Sequence, residues 1–152
     1  MKLLTLWMIL VSTSGLFAQN KADDVNGYWL TEEEDYVVKI YPKDGQYYGK
    51  VVWLRDSLDI YGEPLRDVLN DLSHRRTKLV IGLDVLLHFT FDSGTWRSGE
   101  IYNYQTGNIY NAKIDLDDKG QLELTGYYGI LFFLGKTKAW TKVTNKALYG
   151  LK

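Results

Sequence analysis

The stretch WRSGEIYNYQTGNIYNAKIDLDDKGQLELTGYY, Trp96 to Tyr128, decides the fold of this chain. Thr106-Gly107 and Asp117-Asp118-Lys119-Gly120 carry turn residues, and the segments between them place apolar side chains at every second position. A period of two marks a half-buried strand, and glycine-bearing turns between such strands mark hairpins. The pattern continues to Lys142-Val143 and predicts an antiparallel sheet in which successive strands pair. Gly129 to Leu134 suits either a strand or a tight loop.

Working back from that stretch, the same signals recur. Gly27-Tyr28-Trp29-Leu30 is a short first strand, and Glu32 to Asp35 is a charged turn. Tyr36 to Tyr41 and Gln46 to Leu54 form a hairpin about Lys43-Asp44-Gly45, with Pro42 ending its first strand. Leu79 to Ile81 is a further strand with Gly82 as a bulge. From there Leu83, Val85, Leu87, Phe89 and Phe91 alternate with Asp84, His88, Thr90 and Asp92 up to a turn at Ser93-Gly94. One segment departs from the pattern. Leu65, Val68, Leu69 and Leu72 fall at helical spacing between Gly62-x-Pro64 and His74-Arg75-Arg76, which predicts one short amphipathic helix in the 62–76 excursion, covering an open end of the sheet. About eight short strands joined by hairpins predict an all-β domain, a small antiparallel meander β-barrel, because closure disposes of the edge strands.

The first residues read as an export signal. Lys2 precedes an apolar run from Leu3 to Phe17, and Ala18 is the small residue expected before a cleavage point. The run is shorter than the ~20 residues a membrane-spanning helix needs. The sequence therefore predicts a signal peptide over 1–18, a polar leader over 19–26, a barrel over 27–143 and a tail over 144–152, in a protein that is exported and not integral to the membrane. There is no cysteine, which removes disulfides and thiol chemistry. A net charge of −1 with intermixed signs gives no clustered cations for nucleic acid. The excess lies in 12 tyrosines and 5 tryptophans, which suit strands and also line ligand cavities.

No catalytic set is expected. Asp115-x-Asp117-x-Lys119-Gly120 opens like a calcium loop, but Lys119 falls at a ligand position and Gly126 stands where a bidentate glutamate belongs, so it predicts a hairpin turn. His74 and His88 have no second ligand nearby in sequence, and neither a metal nor a cofactor is expected. If Thr106-Gly107 is a two-residue turn, Asn103 opposes Tyr110, Ile101 opposes Ala112, and Glu100 gains Lys113 as a cross-strand ion-pair partner. That register puts Arg97, Ile101, Asn103, Tyr110, Ala112 and Ile114 on one face, and a Leu116–Leu122 pair brings Tyr110 opposite Tyr128. Such a face either fills a narrow barrel or lines a small-molecule pocket. Asp67, Asn70, Asp71, Arg75 and Arg76 form either the wet face of the predicted helix or a lid over the barrel mouth.

Two sets of residues carry a resemblance. Gly27-x-Trp29 resembles the opening signature of lipocalin-like (calycin) barrels. In that group the indole closes the narrow end beneath a basic residue from the last strand, a part that implies Lys142 or Lys136 here. Beyond it, Tyr48-Gly49-Lys50-Val51-Val52, Ile81-Gly82-Leu83, Trp96 to Tyr102, Thr106 to Tyr110, Gly126 to Gly129 and Leu134 to Trp140 occur in the order found in a bacterial secreted family known as domain of unknown function 2147. Members of that family commonly carry Asp-Pro at Asn103-Tyr104, arginine at Thr125 and Lys136, and a cysteine pair within Asp67 to Arg76. The resemblance implies a calycin-like barrel and export to the periplasm or exterior of a Gram-negative-type bacterium, and it implies no activity.

The resulting expectation is a barrel that binds a small hydrophobic or amphiphilic molecule. Trp53, Phe89, Ile101, Tyr110 and Tyr128 would be apolar walls, Arg97, Asn103 and Asn70 polar anchors, and Gly27, Trp29 and Lys142 would close the opposite end. The alternative is an envelope structural or protein-interaction module that uses Trp96, Tyr102, Tyr104 and Trp140 as exposed aromatics.

Overall fold

The computed structural model describes residues 20–127 and 135–152. Eight strands form a closed antiparallel barrel in sequence order: β1 (Gly27–Leu30), β2 (Tyr36–Lys43), β3 (Gln46–Leu54), β4 (Asp84–Asp92), β5 (Thr95–Asn103), β6 (Asn108–Leu116), β7 (Leu122–Tyr127) and β8 (Lys136–Lys142). β8 returns to β1 through the pairs Trp29–Lys142 and Leu30–Thr141, so the described barrel has no free edge. The β2–β3 and β4–β5 hairpins turn on Asp44-Gly45 and Ser93-Gly94, with both turn residues at positive φ, the twist that matches flanking strands.

The predicted helix is absent. The excursion between β3 and β4 is held by isolated bridges, Leu58–Pro64 and Arg66–Leu79, with a single 3₁₀ turn at Ser73–Arg75. The helical spacing of Leu65, Val68, Leu69 and Leu72 does not mark a buried stripe, since Val68, Leu69 and Leu72 are exposed. What the excursion buries is polar: Asp67 is 0% exposed and Asn70 7%. Its backbone groups pair across the excursion and with β3, through Asp67 N to Lys78 O (2.9 Å), Val80 N to Leu65 O (3.0 Å) and Gly82 N to Val51 O (2.8 Å). Leu79 to Ile81 accordingly is not a strand.

Both chain ends described are ordered against the barrel. The expected polar leader forms a 3₁₀ turn, Ala22–Val25, whose Val25 is fully buried. Trp29 Nε1 donates to Val25 O (2.8 Å) and Trp96 Nε1 to Ala22 O (3.1 Å), so two buried indoles satisfy their N–H groups by seating a plug under the barrel. The tail ends in a second such turn, Lys146–Tyr149, and Tyr149 packs edge-on against Trp53 at 4.9 Å between ring centres. Among the described residues no helix is long and apolar enough to cross a membrane.

The core runs up the barrel axis from that plug. Trp29, Trp96, Phe89, Leu86, Ile40, Val38, Val51, Ile114 and Leu122 are buried, each large side chain contributing roughly 1.5–3 kcal/mol of transfer free energy. Phe89 fills mid-barrel so tightly that a Cβ on Gly99 would sit 2.3 Å from its ring, which leaves only glycine at that position.

Candidate ligand site

The closed end follows from residues on neighbouring strands. Trp29 and Lys142 oppose each other across the β1–β8 ladder, and the Lys142 ammonium lies 5.2 Å from the indole centre, a cation–π contact. Lys142 Nζ also donates to Asp24 O (3.3 Å), tying the plug to β8. Gly27 gives its stem room, since a Cβ there would already touch Lys142 Cε at 3.4 Å.

Among the described residues the opposite end is open and mixed in character. A cavity of ≈ 340 Å³ there is lined by Ile101 and Asn103 of β5, Tyr110 of β6, Leu124 and Gly126 of β7, and Lys136 and Lys138 of β8. The volume falls within the range of small-molecule sites, and apolar walls with few polar groups are their usual make-up. Register explains the convergence. Ile101 opposes Tyr110, Asn103 opposes Asn108, and Gly126 opposes both Ala112 and Lys136, so all belong to the inward set that lower down holds Ala112, Ile114, Leu122 and Trp140. Tyr36, outside the cavity lining, packs edge-on against Tyr104 (5.8 Å) and Trp140 (6.3 Å). Burial drives the Tyr36 hydroxyl well above the ordinary tyrosine range, so it stays protonated.

Charge at the rim is organised. Lys138 Nζ pairs with Glu32 (2.8 Å) and with Glu33, which pins the β1–β2 turn beside the mouth. Hydrogen bonds donated by its ammonium to these two carboxylates raise the Lys138 pKa, and that ammonium in turn holds Glu33 below the usual carboxylate range against the opposing effect of burial. Lys136 has no ion-pair partner among the described residues.

The residues singled out from sequence scatter. Ile101, Asn103 and Tyr110 converge at the mouth, where Asn103 Oδ1 accepts from Gln105 N (2.9 Å) and Tyr110 OH accepts from Asn108 Nδ2 (3.3 Å). Tyr128 lies outside the described residues. Phe89 is inside the barrel but is core filling, 0% exposed. Trp53 stands on the outer wall against Tyr149, so it does not face an interior hollow. Arg97 is also outside. A bulge between Trp96 and Gly99, with Ser98 at φ 56°, turns its guanidinium to solvent, 3.8 Å from Asp92. Asn70 is buried, but on the outer wall, where its Nδ2 donates to Asp67 (2.7 Å) and to Tyr102 OH (3.1 Å).

Three further expectations are corrected. The β5–β6 connection spans Tyr104 to Gly107, with Thr106 N and Gly107 N both bonding Asn103 O, so pairing slips by two residues. Glu100 then opposes Asn111, and Lys113 pairs instead with Asp115 at 2.7 Å. A slip of two preserves the faces, which is why Ile101 and Tyr110 still share one. In β4 the alternation breaks at His88 (φ 62°), so Leu86 and Phe89 point inward while Leu87 opposes Glu100 on the outer wall. The aromatics expected to be exposed are not: Trp96, Tyr102 and Trp140 are 0%, 7% and 3% exposed, and Tyr104 packs on the core. Sequence reasoning missed Leu124, Gly126 and Lys138, and it offered Lys136 as an alternative to Lys142 at the closed end, where Lys142 stands instead. Counting back in twos from Trp140 and forward in twos from Leu122 would have placed all four on the inward face.

Residues 27–142 match the model of a family described as an uncharacterized protein conserved in bacteria, DUF2147. The chain belongs to DUF2147. Its fold is similar to that of protein HP1028 from the human pathogen Helicobacter pylori, described as belonging to the lipocalin family. The TM-score is 0.71 at 21% identity over 81% of this chain and 85% of that one. No curated protein matches the sequence. This DUF2147 member is thus a lipocalin-like closed barrel whose described inward residues fill the closed end and middle and leave space among themselves at the mouth.

Proposed function

We propose that this chain is an exported barrel that holds a small hydrophobic or amphiphilic molecule at its open end. The observation that carries the reading is the mouth cavity, where Ile101, Tyr110 and Leu124 supply apolar walls and Asn103 and Lys136 supply polar groups. The core below sets its depth, so the ligand is short or enters by one end only. Export is supported by the sequence of the first 18 residues, and N-terminal sequencing of the mature protein tests it.

The test uses Gly126→Val. A Cβ at Gly126 meets only ordinary contacts, Ile101 Cδ1 at 3.5 Å and Tyr110 Cβ at 3.9 Å, so a valine there occupies the cavity without disturbing the core. Wild-type protein takes up the neutral apolar probe N-phenyl-1-naphthylamine with a fluorescence rise, and an organic extract of the purified protein competes it off. Gly126→Val binds it at least about tenfold more weakly. Equal binding by both proteins removes the mouth as the site.

A further inference from the structure

Outside the barrel wall lies a second cleft, of ≈ 520 Å³, between the excursion and the outer faces of β4 to β6. Arg75, Lys78, Leu79 and Ile81 of the excursion and Leu87 and Ile109 of the wall line it. Leu79, Ile81 and Ile109 are 44%, 45% and 58% exposed. Scattered apolar side chains on a surface need no explanation, but several converging on one concave site mark a binding surface.

The cleft is preformed, because its outer wall is latched to the barrel at independent points. Tyr102 OH donates to Asp67 Oδ1 (2.5 Å) and accepts from Asn70 Nδ2 (3.1 Å), both buried. Leu69 O lies so close to Gly107 that a Cβ there would sit 2.2 Å away. Arg76 Nε donates to Asn70 O (2.7 Å), closing the loop on itself.

Charge selects the occupant. Leu72 to Ile81 carries His74, Arg75, Arg76 and Lys78 with no acidic residue among them. Arg76 is used internally, whereas neither Arg75 nor Lys78 has an ion-pair partner among the described residues. The acidic side chains at the cleft are Asp71 and Asp84, and Asp84 Oδ1 already accepts from Tyr41 OH at 3.0 Å and opposes Lys50 across the ladder. We propose that this outer cleft binds a single-chain amphiphile with a carboxylate head, taken up from solution as a monomer. Its tail lies on Leu79, Ile81, Leu87 and Ile109, and its head between Arg75 and Lys78. The site is separate from the barrel mouth: Leu87 and Tyr102 face outward where their neighbours Leu86 and Ile101 face in.

The experiment is a titration of the mature chain with monomeric dodecanoate, read by calorimetry and by amide chemical shifts. Gly126→Val keeps the dodecanoate binding of this outer cleft, with shifts at Leu79 and Ile109 that match those of wild type. The Arg75→Gln/Lys78→Gln double variant weakens binding by about tenfold or more, as loss of charge-assisted contacts requires, and Ile109→Asn weakens it from the other wall. Dodecyl maltoside, with the same tail and no charge, binds wild type as weakly as dodecanoate binds the double variant. Three results overturn the proposal: no dodecanoate binding, dodecanoate binding lost in Gly126→Val but kept in the double variant, or sedimentation with phosphatidylglycerol vesicles without monomer binding. Naphthylamine binding reads the mouth separately, so either site can fail alone.

Discussion

Tyr102→Phe isolates the latch that seats the excursion on the barrel. The substitution removes one hydroxyl and no packing volume. That hydroxyl donates 2.5 Å to a carboxylate that is 0% exposed and accepts 3.1 Å from a buried amide. Asp67 keeps only Asn70 Nδ2 as a side-chain donor. A hydrogen bond to a charged group is worth about 1.5–3 kcal/mol, and a buried oxygen left short of a donor bears the larger end of that range. The loss falls on the excursion, because the barrel strands pair without it. Opening of the excursion therefore becomes about 10- to 150-fold more favourable. Hydrogen exchange reads this at Asp67 N and Val80 N, whose partners Lys78 O and Leu65 O lie within the excursion, against Ile114 N in the barrel as reference. Exchange that stays unchanged at all three amides, or that rises equally at all three, would refute the reasoning.

Three further outcomes follow from the same geometry. Gly99→Ala drives a methyl into the Phe89 ring and costs about 1–3 kcal/mol by urea denaturation, and Phe89→Leu in the same chain recovers part of the loss, since the two sites couple directly. The Lys138 cluster contributes only about 0.2–1 kcal/mol, being an exposed pair, and is confined to a pH window. Glu33 lies below its ordinary 4.5, so its share is complete above that value and disappears as pH falls through the lowered pKa. Lys138 lies above its ordinary 10.5, so its share is complete below that value and disappears as pH rises through the raised one. Denaturation midpoints of wild type and Lys138→Gln therefore differ across the neutral range and converge at both extremes. Burial, then the neighbouring Asp84 and Asp67, push Tyr41 and Tyr102 up to about 12. Unfolded tyrosines ionise near 10, so native stability declines as pH climbs from there through 12, and the tyrosinate absorbance of the native protein shows a delayed fraction that Tyr102→Phe reduces.

Much of the barrel was legible because period-two alternation and glycine turns are local signals. The Trp29–Lys142 closure was legible because it depends only on the first and last strands being neighbours. What escaped the sequence has a common cause. The bulges at His88 and Ser98 place non-glycine residues at positive φ, which nothing in the local sequence announces, and each turned a predicted face around: Leu86 inward, Arg97 outward. The excursion misled because Leu65, Val68, Leu69 and Leu72 match helical spacing by coincidence, whereas its fold is decided by Asp67 and Asn70 reaching Tyr102 across more than thirty positions of sequence. Long-range polar pairing of that kind leaves no periodicity. The mouth was half legible: Ile101, Asn103 and Tyr110 survived a register error of two because the error preserved their face, while Lys138 sat unread on the far strand and Lys136 was assigned to the wrong end.

Space at the barrel mouth above a packed core is tested most directly by amide chemical-shift mapping of the labelled mature chain with N-phenyl-1-naphthylamine. Saturable shifts concentrated at Ile101, Tyr110, Leu124 and Gly126, and missing from Gly126→Val, are the predicted result. Shifts that spare those four residues, or that centre on Trp29 and Trp96 at the plugged end, would contradict it.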